Sequence, residues 1–150
     1  MTACRTCQVE AGDLVLTNAP RLVETALWRV ERAHPCSIPG WLVVVLRRHA
    51  AALHELSVEE WDELGTLLRA ITAALHEVTG SAKEYVMQFA EAEGHEHVHV
   101  HVVARADEWP DSLRGPAVFG AFEAGEPVGE AEATALLDAM RPVVARRLGG

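Results

Sequence analysis

His97-Val98-His99-Val100-His101-Val102-Val103 is the stretch on which the reading of this chain turns. In an extended strand successive side chains point to opposite faces, so His97, His99 and His101 share one face and Val98, Val100 and Val102 the other. Valines suit a buried pleated surface. The imidazoles recur about every 7 Å along the strand, a ladder able to grip one ligand at several points. The heptapeptide therefore predicts a half-buried strand with its apolar side on a core and its polar side available for chemistry.

Working outward, a short acidic turn containing Glu91, Glu93 and Gly94 precedes this strand, and residues 85–90 before it read as another. Ser57 and Glu60 form a capping box behind Leu56, which predicts a helix start. Leu64, Leu67, Leu68, Ile71, Leu75 and Val78 follow at helical spacing, and Gly80 supplies the stop. Residues 41–46, Trp-Leu-Val-Val-Val-Leu, read as a buried strand after a loop marked by Pro35, Pro39 and Gly40. Shorter apolar stretches at 14–16 and 26–30 read as antiparallel strands. Residues 107–129 read mostly as loop. Leu136, Leu137, Met140, Val143, Val144 and Leu148 predict a C-terminal helix, kinked where Pro142 lacks an amide donor. Clustered strands with two separate helices predict an α+β fold: an antiparallel sheet of about five strands, one main helix and a C-terminal helix.

The 150 residues suffice for one domain with a core, and no linker divides them. Thirteen Lys and Arg against 22 Asp and Glu give a formal charge of −9, the wrong sign for gripping a polymeric nucleic acid. A small nucleotide stays compatible with that field, because local donors can cradle a few phosphates. No apolar run is long enough for a membrane span, and no basic segment leads into an apolar one at the N-terminus, so the expectation is a cytoplasmic protein. In that setting Cys4-x-x-Cys7 suggests metal or redox chemistry rather than a disulfide, although two reduced thiols would show the same spacing.

With Arg105 close behind it, the His-φ-His-φ-His-φ-φ pattern resembles the signature of the histidine triad superfamily of nucleotide hydrolases and transferases. Cys4, Cys7 and Ala11-Gly12 resemble the zinc-binding opening of many members. Residues 40–44 leading to Arg47-Arg48-His49 resemble its Gly-His-Leu-Val segment, and residues 56–60 its Leu-Thr-x-Glu-Glu. The likeness spans about residues 4–105. It implies a single domain over 1–150, with a zinc-binding segment at about 1–12, a core at about 13–105, and a C-terminal loop and helix at about 106–150.

The resemblance implies that His99 is a nucleophile toward the α-phosphate of a nucleotide, with His101 stabilising the developing charge. It implies one structural zinc held by Cys4, Cys7, His49 and His97, and a homodimer. Gln88 falls where the family has a phosphate-contacting Asn. His95 stands in a shortened lead-in to the triad, where it is a substrate contact or a solvated turn residue. Trp41 replaces the family's histidine and is either core or a platform for a base. Ala33-His34 occupies the place of the acidic residue that holds ribose hydroxyls in many members, and His34 reads as a surface or packing residue. Arg47 and Arg48 either steer phosphates or face solvent. Two other functions fit the same residues: a nucleotide-binding protein without turnover, or a metal-dependent enzyme built on the His97, His99 and His101 ladder.

Overall fold

The computed structural model describes residues 4–122 and 124–150. Five strands, β1 (Val23–Glu24), β2 (Trp28–Arg32), β3 (Trp41–Leu46), β4 (Lys83–Met87) and β5 (His99–Arg105), form one sheet in the order β1-β2-β3-β5-β4. Every neighbouring pair is antiparallel. Three helices, α1 (Arg5–Ala11), α2 (Val58–Thr79) and α3 (Glu130–Leu148), complete the α+β architecture expected from the sequence. Among the described residues, no helix is long and apolar enough to cross a membrane.

The period-2 pattern decides which way the sheet faces. Trp28 and Val30, Leu42, Val44 and Leu46, and Val98, Val100 and Val102 all lie in the main core, against Leu64, Leu67, Ile71 and Leu75 of α2 and Leu137 and Met140 of α3. The odd-numbered neighbours on these strands face the other way. Gly40 opens β3 with φ of 76°, and a Cβ there would meet the Ala104 Cβ at 3.0 Å, so a larger residue would push β3 away from β5.

Helix α2 begins and ends as its sequence predicts. The Ser57 hydroxyl accepts from the Glu60 amide at 3.2 Å, the Glu60 carboxylate accepts from the Ser57 amide at 2.7 Å, and Gly80 closes the helix at φ of 67°. Glu60 is only 3% exposed and also receives both Nε and NH2 of Arg48, at 2.6 and 2.7 Å. Those bonds hold its carboxyl below the ordinary range against the opposing effect of burial. A depressed folded pKa contributes stability that is complete above the unfolded value and is lost as acid titrates the group through its folded value. Glu60→Ala is therefore expected to cost about 1–2 kcal/mol near neutrality in chemical denaturation, mainly through the lost cap. The gap to wild type should narrow toward pH 3. A gap that stays constant down to that pH would remove the carboxylate from the account.

Several boundaries differ from the sequence reading, each for a local reason. Residues 14–16 are not a strand: Gly12 ends α1 in a left-handed conformation, and the chain then runs as a loop. Strand β2 starts at Trp28 instead of residue 26, because the Thr25 hydroxyl accepts the amides of Leu27 and Trp28 and fixes a turn there. Strand β4 covers 83–87 rather than 85–90, and Ala90 has a φ of 56° that no strand accommodates. Assigned strand β5 begins at His99, not His97, since the His97 amide bonds to the His95 carbonyl at 2.7 Å in a tight bend. The face alternation nevertheless holds, because Val98 already pairs with Leu46 and Ala50. Helix α3 starts at Glu130, ahead of the first large apolar residue, and runs through Pro142 as one helix. The loop at 107–129 contains two short 3-10 turns, Asp111–Leu113 and Gly115–Ala121.

Candidate active site and metal cluster

On the face of the sheet away from α2 lies a cavity of about 530 Å³. Val43 and Val45 of β3 and His99 and His101 of β5 form its floor. Arg29, Glu31 and the turn Ala33-His34-Pro35 bound one side; Phe89, Ala90, Glu91, Ala92 and His95, beyond the end of β4, bound the other. Thr6 and Val9 of α1, Leu16, Thr17, Phe119 and Phe122 complete the wall. Because β5 lies between β3 and β4 in the sheet, the two histidines stand between the β2–β3 side of the cavity and its β4 side.

Hydrogen-bond partners fix which nitrogen of each ring carries its proton. His99 Nδ1 lies 2.7 Å from the His97 carbonyl oxygen, which can only accept, so Nδ1 is protonated and Nε2 keeps its lone pair. His101 is set the opposite way. The Trp41 indole N–H donates to its Nδ1 at 3.0 Å, leaving the proton on Nε2. The two rings pack edge to face with centroids 4.9 Å apart. The site thus offers one unprotonated imidazole nitrogen beside one N–H donor. Burial lowers the pKa of both rings, that of His101 to about 4, so both are neutral near pH 7.

His97 turns away from this pair. Its Nε2 donates to the Leu46 carbonyl at 2.6 Å, so its Nδ1 lone pair faces Cys4 Sγ at 3.5 Å and Cys7 Sγ at 3.6 Å. His49 Nδ1 lies 3.4 Å from Cys7 Sγ, and all four ligand atoms fall within 4.8 Å of one another. Cys4 and Cys7 are brought together by α1, which the sequence reading missed: Cys4 caps this helix by accepting from the Cys7 amide. Burial and then the neighbouring Cys4 thiol raise the Cys7 pKa to about 11, against the opposing charge of Arg29. The three histidines do not converge on a point. Among the described residues, Cys4, Cys7, His49 and His97 are the one group of side chains close enough together to hold a metal ion, and the three ladder histidines are not such a group.

Other expected contacts fall differently. Trp41 is 1% exposed and lies outside the cavity lining, packed between Phe119 and Phe122, so no face of its ring is open to a base. Its place in β3 makes it a support for His101 instead. Gln88 is half-buried just past β4 and does not line the cavity, because the following Phe89 and Ala90 take that wall. His95 does line it. Arg47 and Arg48 are held by Glu10 and Glu60 at 2.6 Å each, which leaves neither free to steer phosphates.

Sequence reading also missed the charged side of the cavity. Arg29, Glu10, Arg47, Glu24, Arg21 and Glu31 close a ring of six alternating charges, with contacts of 2.6 to 3.7 Å, around the edge formed by β1, β2 and α1. Arg29, a member of this ring, is 1% exposed. The alternation of Arg29 and Glu31 with Trp28 and Val30 was the available signal, since it places both charges on the histidine face. His34, read as a surface or packing residue, lines the cavity and accepts from Arg32 at 3.1 Å.

The sequence matches no family model and no curated protein. Solved structures share its fold over nearly its whole length. A Zn-bound histidine triad family protein from Mycobacterium smegmatis is similar with a TM-score of 0.66 at 18% identity, over 95% of this chain and 94% of that one. A histidine triad protein from Sinorhizobium meliloti gives 0.69 at 23% identity, over 81% and 87%. A diadenosine triphosphate hydrolase from Plasmodium falciparum gives 0.65 at 10% identity, over 88% and 80%.

Proposed function

Starting from a chain with the histidine triad fold, we propose that it is a nucleotide hydrolase or nucleotidyl transferase that acts at an α-phosphate through a nucleotidyl intermediate on His99. The opposed proton placement on His99 and His101 carries this reading. His99 Nε2 attacks phosphorus with its lone pair, a P–N bond forms, and the P–O bond to the leaving group breaks with its electrons on the departing oxygen. The ring keeps its Nδ1 proton and becomes cationic, and the His97 carbonyl stabilises that charge. His101 Nε2–H donates to a phosphoryl or bridging oxygen as negative charge builds. Water or another acceptor then attacks phosphorus, the P–N bond breaks with its electrons returning to Nε2, the acceptor's proton passes to solvent or to the departed oxyanion, and neutral His99 returns.

His101 donates a hydrogen bond, not its proton, because its Nδ1 lone pair is engaged by Trp41 and proton loss would leave an anionic ring. Trp41 is a positioning residue in this scheme. Trp41→Phe keeps the aromatic packing and removes the donor, which frees His101 to change tautomer. It is expected to lower kcat about tenfold or more with little change in KM, and to shift the nitrogen resonances of His101. Unchanged resonances and kcat would deny the indole this role.

Zinc fits the second cluster. Four ligands at ordinary Zn–S and Zn–N lengths in a tetrahedron put S and N about 3.5 Å apart, which the Cys4–His97, Cys7–His49 and Cys7–His97 contacts of 3.5, 3.4 and 3.6 Å match. A complete Cys2His2 set leaves no position for substrate, so the metal is structural. The relative from Mycobacterium smegmatis described as Zn-bound supports this assignment. The resemblance further supports a homodimer, and the open edge of β4, where Val86 is 46% exposed, is available to extend the sheet into a second copy.

The test of the reaction is intact-mass measurement after rapid quench with a panel of nucleoside polyphosphates, dinucleoside polyphosphates and nucleotide phosphoramidates. A gain of one nucleoside monophosphate on the chain is expected. Tight nucleotide binding with no adduct would favour a binding protein without turnover.

A further inference from the structure

Glu31 is an acid on the cavity wall that neither the reaction nor the zinc site uses. Its two arginine neighbours, Arg29 and Arg21, both meet the same oxygen, Oε2, at 3.3 and 3.6 Å. Among the described residues Oε1 has no hydrogen-bond donor, so the carboxylate keeps one oxygen for a ligand. Three positions on, His34 also lines the cavity. Arg32 donates to its Nδ1 at 3.1 Å, and a guanidinium can only donate, so the His34 proton sits on Nε2. That tautomer is locked, because Arg32 is itself held by the Glu130 carboxylate at 2.9 Å and the Val128 carbonyl at 2.8 Å. This side of the cavity thus carries one fixed acceptor and one fixed donor.

The sheet register sets their distance from the reacting centre. Glu31 pairs with Val43 and Val43 with His101, so Glu31 and His101 stand two strands apart in one row on the same face. Two strand spacings are about 10 Å, about the reach of a nucleoside monophosphate from its phosphorus to the far edge of its base. Building on the nucleotidyl-transfer reading above, we propose that Glu31 and His34 read the base of the nucleotide and make the protein selective for guanine. Guanine alone among the common bases presents two adjacent N–H donors, its ring N–H and its amino group, beside a carbonyl oxygen. The donors suit the Glu31 carboxylate and the carbonyl suits His34 Nε2–H. Adenine and cytosine set a ring-nitrogen lone pair beside their amino group, which a carboxylate repels, and uracil flanks its one N–H with two carbonyls. Leu16 and Val43 line the cavity too and supply apolar surface to the base.

The test is equilibrium binding of GMP, IMP and AMP to wild type and to Glu31→Gln. IMP keeps the carbonyl and the ring N–H of guanine but lacks the amino group. Wild type is expected to bind GMP about tenfold more tightly than AMP, with IMP between them. In Glu31→Gln the affinity for GMP should fall about tenfold while that for AMP holds or rises, since a glutamine amide can both donate to and accept from adenine. Retained AMP binding also shows that the variant is folded, and the wild-type comparison needs no variant. Wild type that binds no GMP or does not prefer it to AMP, or a Glu31→Gln protein that keeps the preference, overturns the assignment. So does an equal loss for all three nucleotides that disappears with their 2′-deoxy forms, which would make Glu31 a contact of the sugar. Failure of the covalent reading shows separately, as the absence of an adduct on His99, and monophosphate binding still decides the role of Glu31.

Discussion

His99→Ala is expected to abolish the nucleotidyl-enzyme and to lower turnover at least about a thousandfold, a loss of about 4 kcal/mol of transition-state stabilisation. The reason is specific to position 99. Its Nε2 is the unprotonated nitrogen of the histidine pair in the cavity, whereas His101 Nδ1 is occupied by the Trp41 indole and His97 Nδ1 faces two thiols. Neither neighbour can substitute without breaking a hydrogen bond. His99 makes one part of the floor and the other lining residues remain in the variant, so nucleotide affinity should largely persist and the defect should fall on kcat. Equal turnover by variant and wild type would take His99 out of the mechanism. His101→Ala should behave differently: an adduct still forms, more slowly, because a donor to the developing charge is gone while the nucleophile remains.

The second large effect concerns the proposed zinc site at Cys4, Cys7, His49 and His97. Removing the metal by chelation, or its ligand by Cys7→Ser, should destabilise the protein by about 4 kcal/mol when the wild type is held at a thousand times its dissociation constant. Elemental analysis should find one zinc per chain in wild type and in His99→Ala, and none in Cys7→Ser. Loss should be visible locally as well as globally. Amide exchange should speed up across residues 4–12, because α1 is a seven-residue helix that cannot persist alone. A metal that survives replacement of both cysteines but leaves with His99 would reverse the two assignments.

Much of this was legible because strands and long helices write their burial into the sequence. The valines at 98, 100 and 102 and the run at 41–46 declare their faces by alternation, and Ser57, Glu60 and Gly80 declare both ends of α2. What stayed hidden depended on contacts far apart in sequence. Helix α1 has too few residues for a periodic signal, and it exists through its Cys4 cap and its ties to Gly94 and Arg29. Trp41 could equally be core or platform until Phe119 and Phe122, some eighty residues later, closed over it. Gln88 fell outside the cavity because β4 stops at Met87, a boundary that depends on the left-handed Ala90.

The closed ring of charges makes the helix that carries the cysteines doubly fastened. Glu10 ties the C-terminal end of α1 to Arg29 and Arg47, while the proposed zinc would tie Cys4 and Cys7 at its N-terminal end to His49 and His97. Two clasps on so short a rod back each other up. When the metal tie is lost, Glu10 is the remaining tie on the cavity wall made by Thr6 and Val9. Concentrated salt should therefore deepen the damage done by a chelator, the two together costing more than the sum of their separate effects.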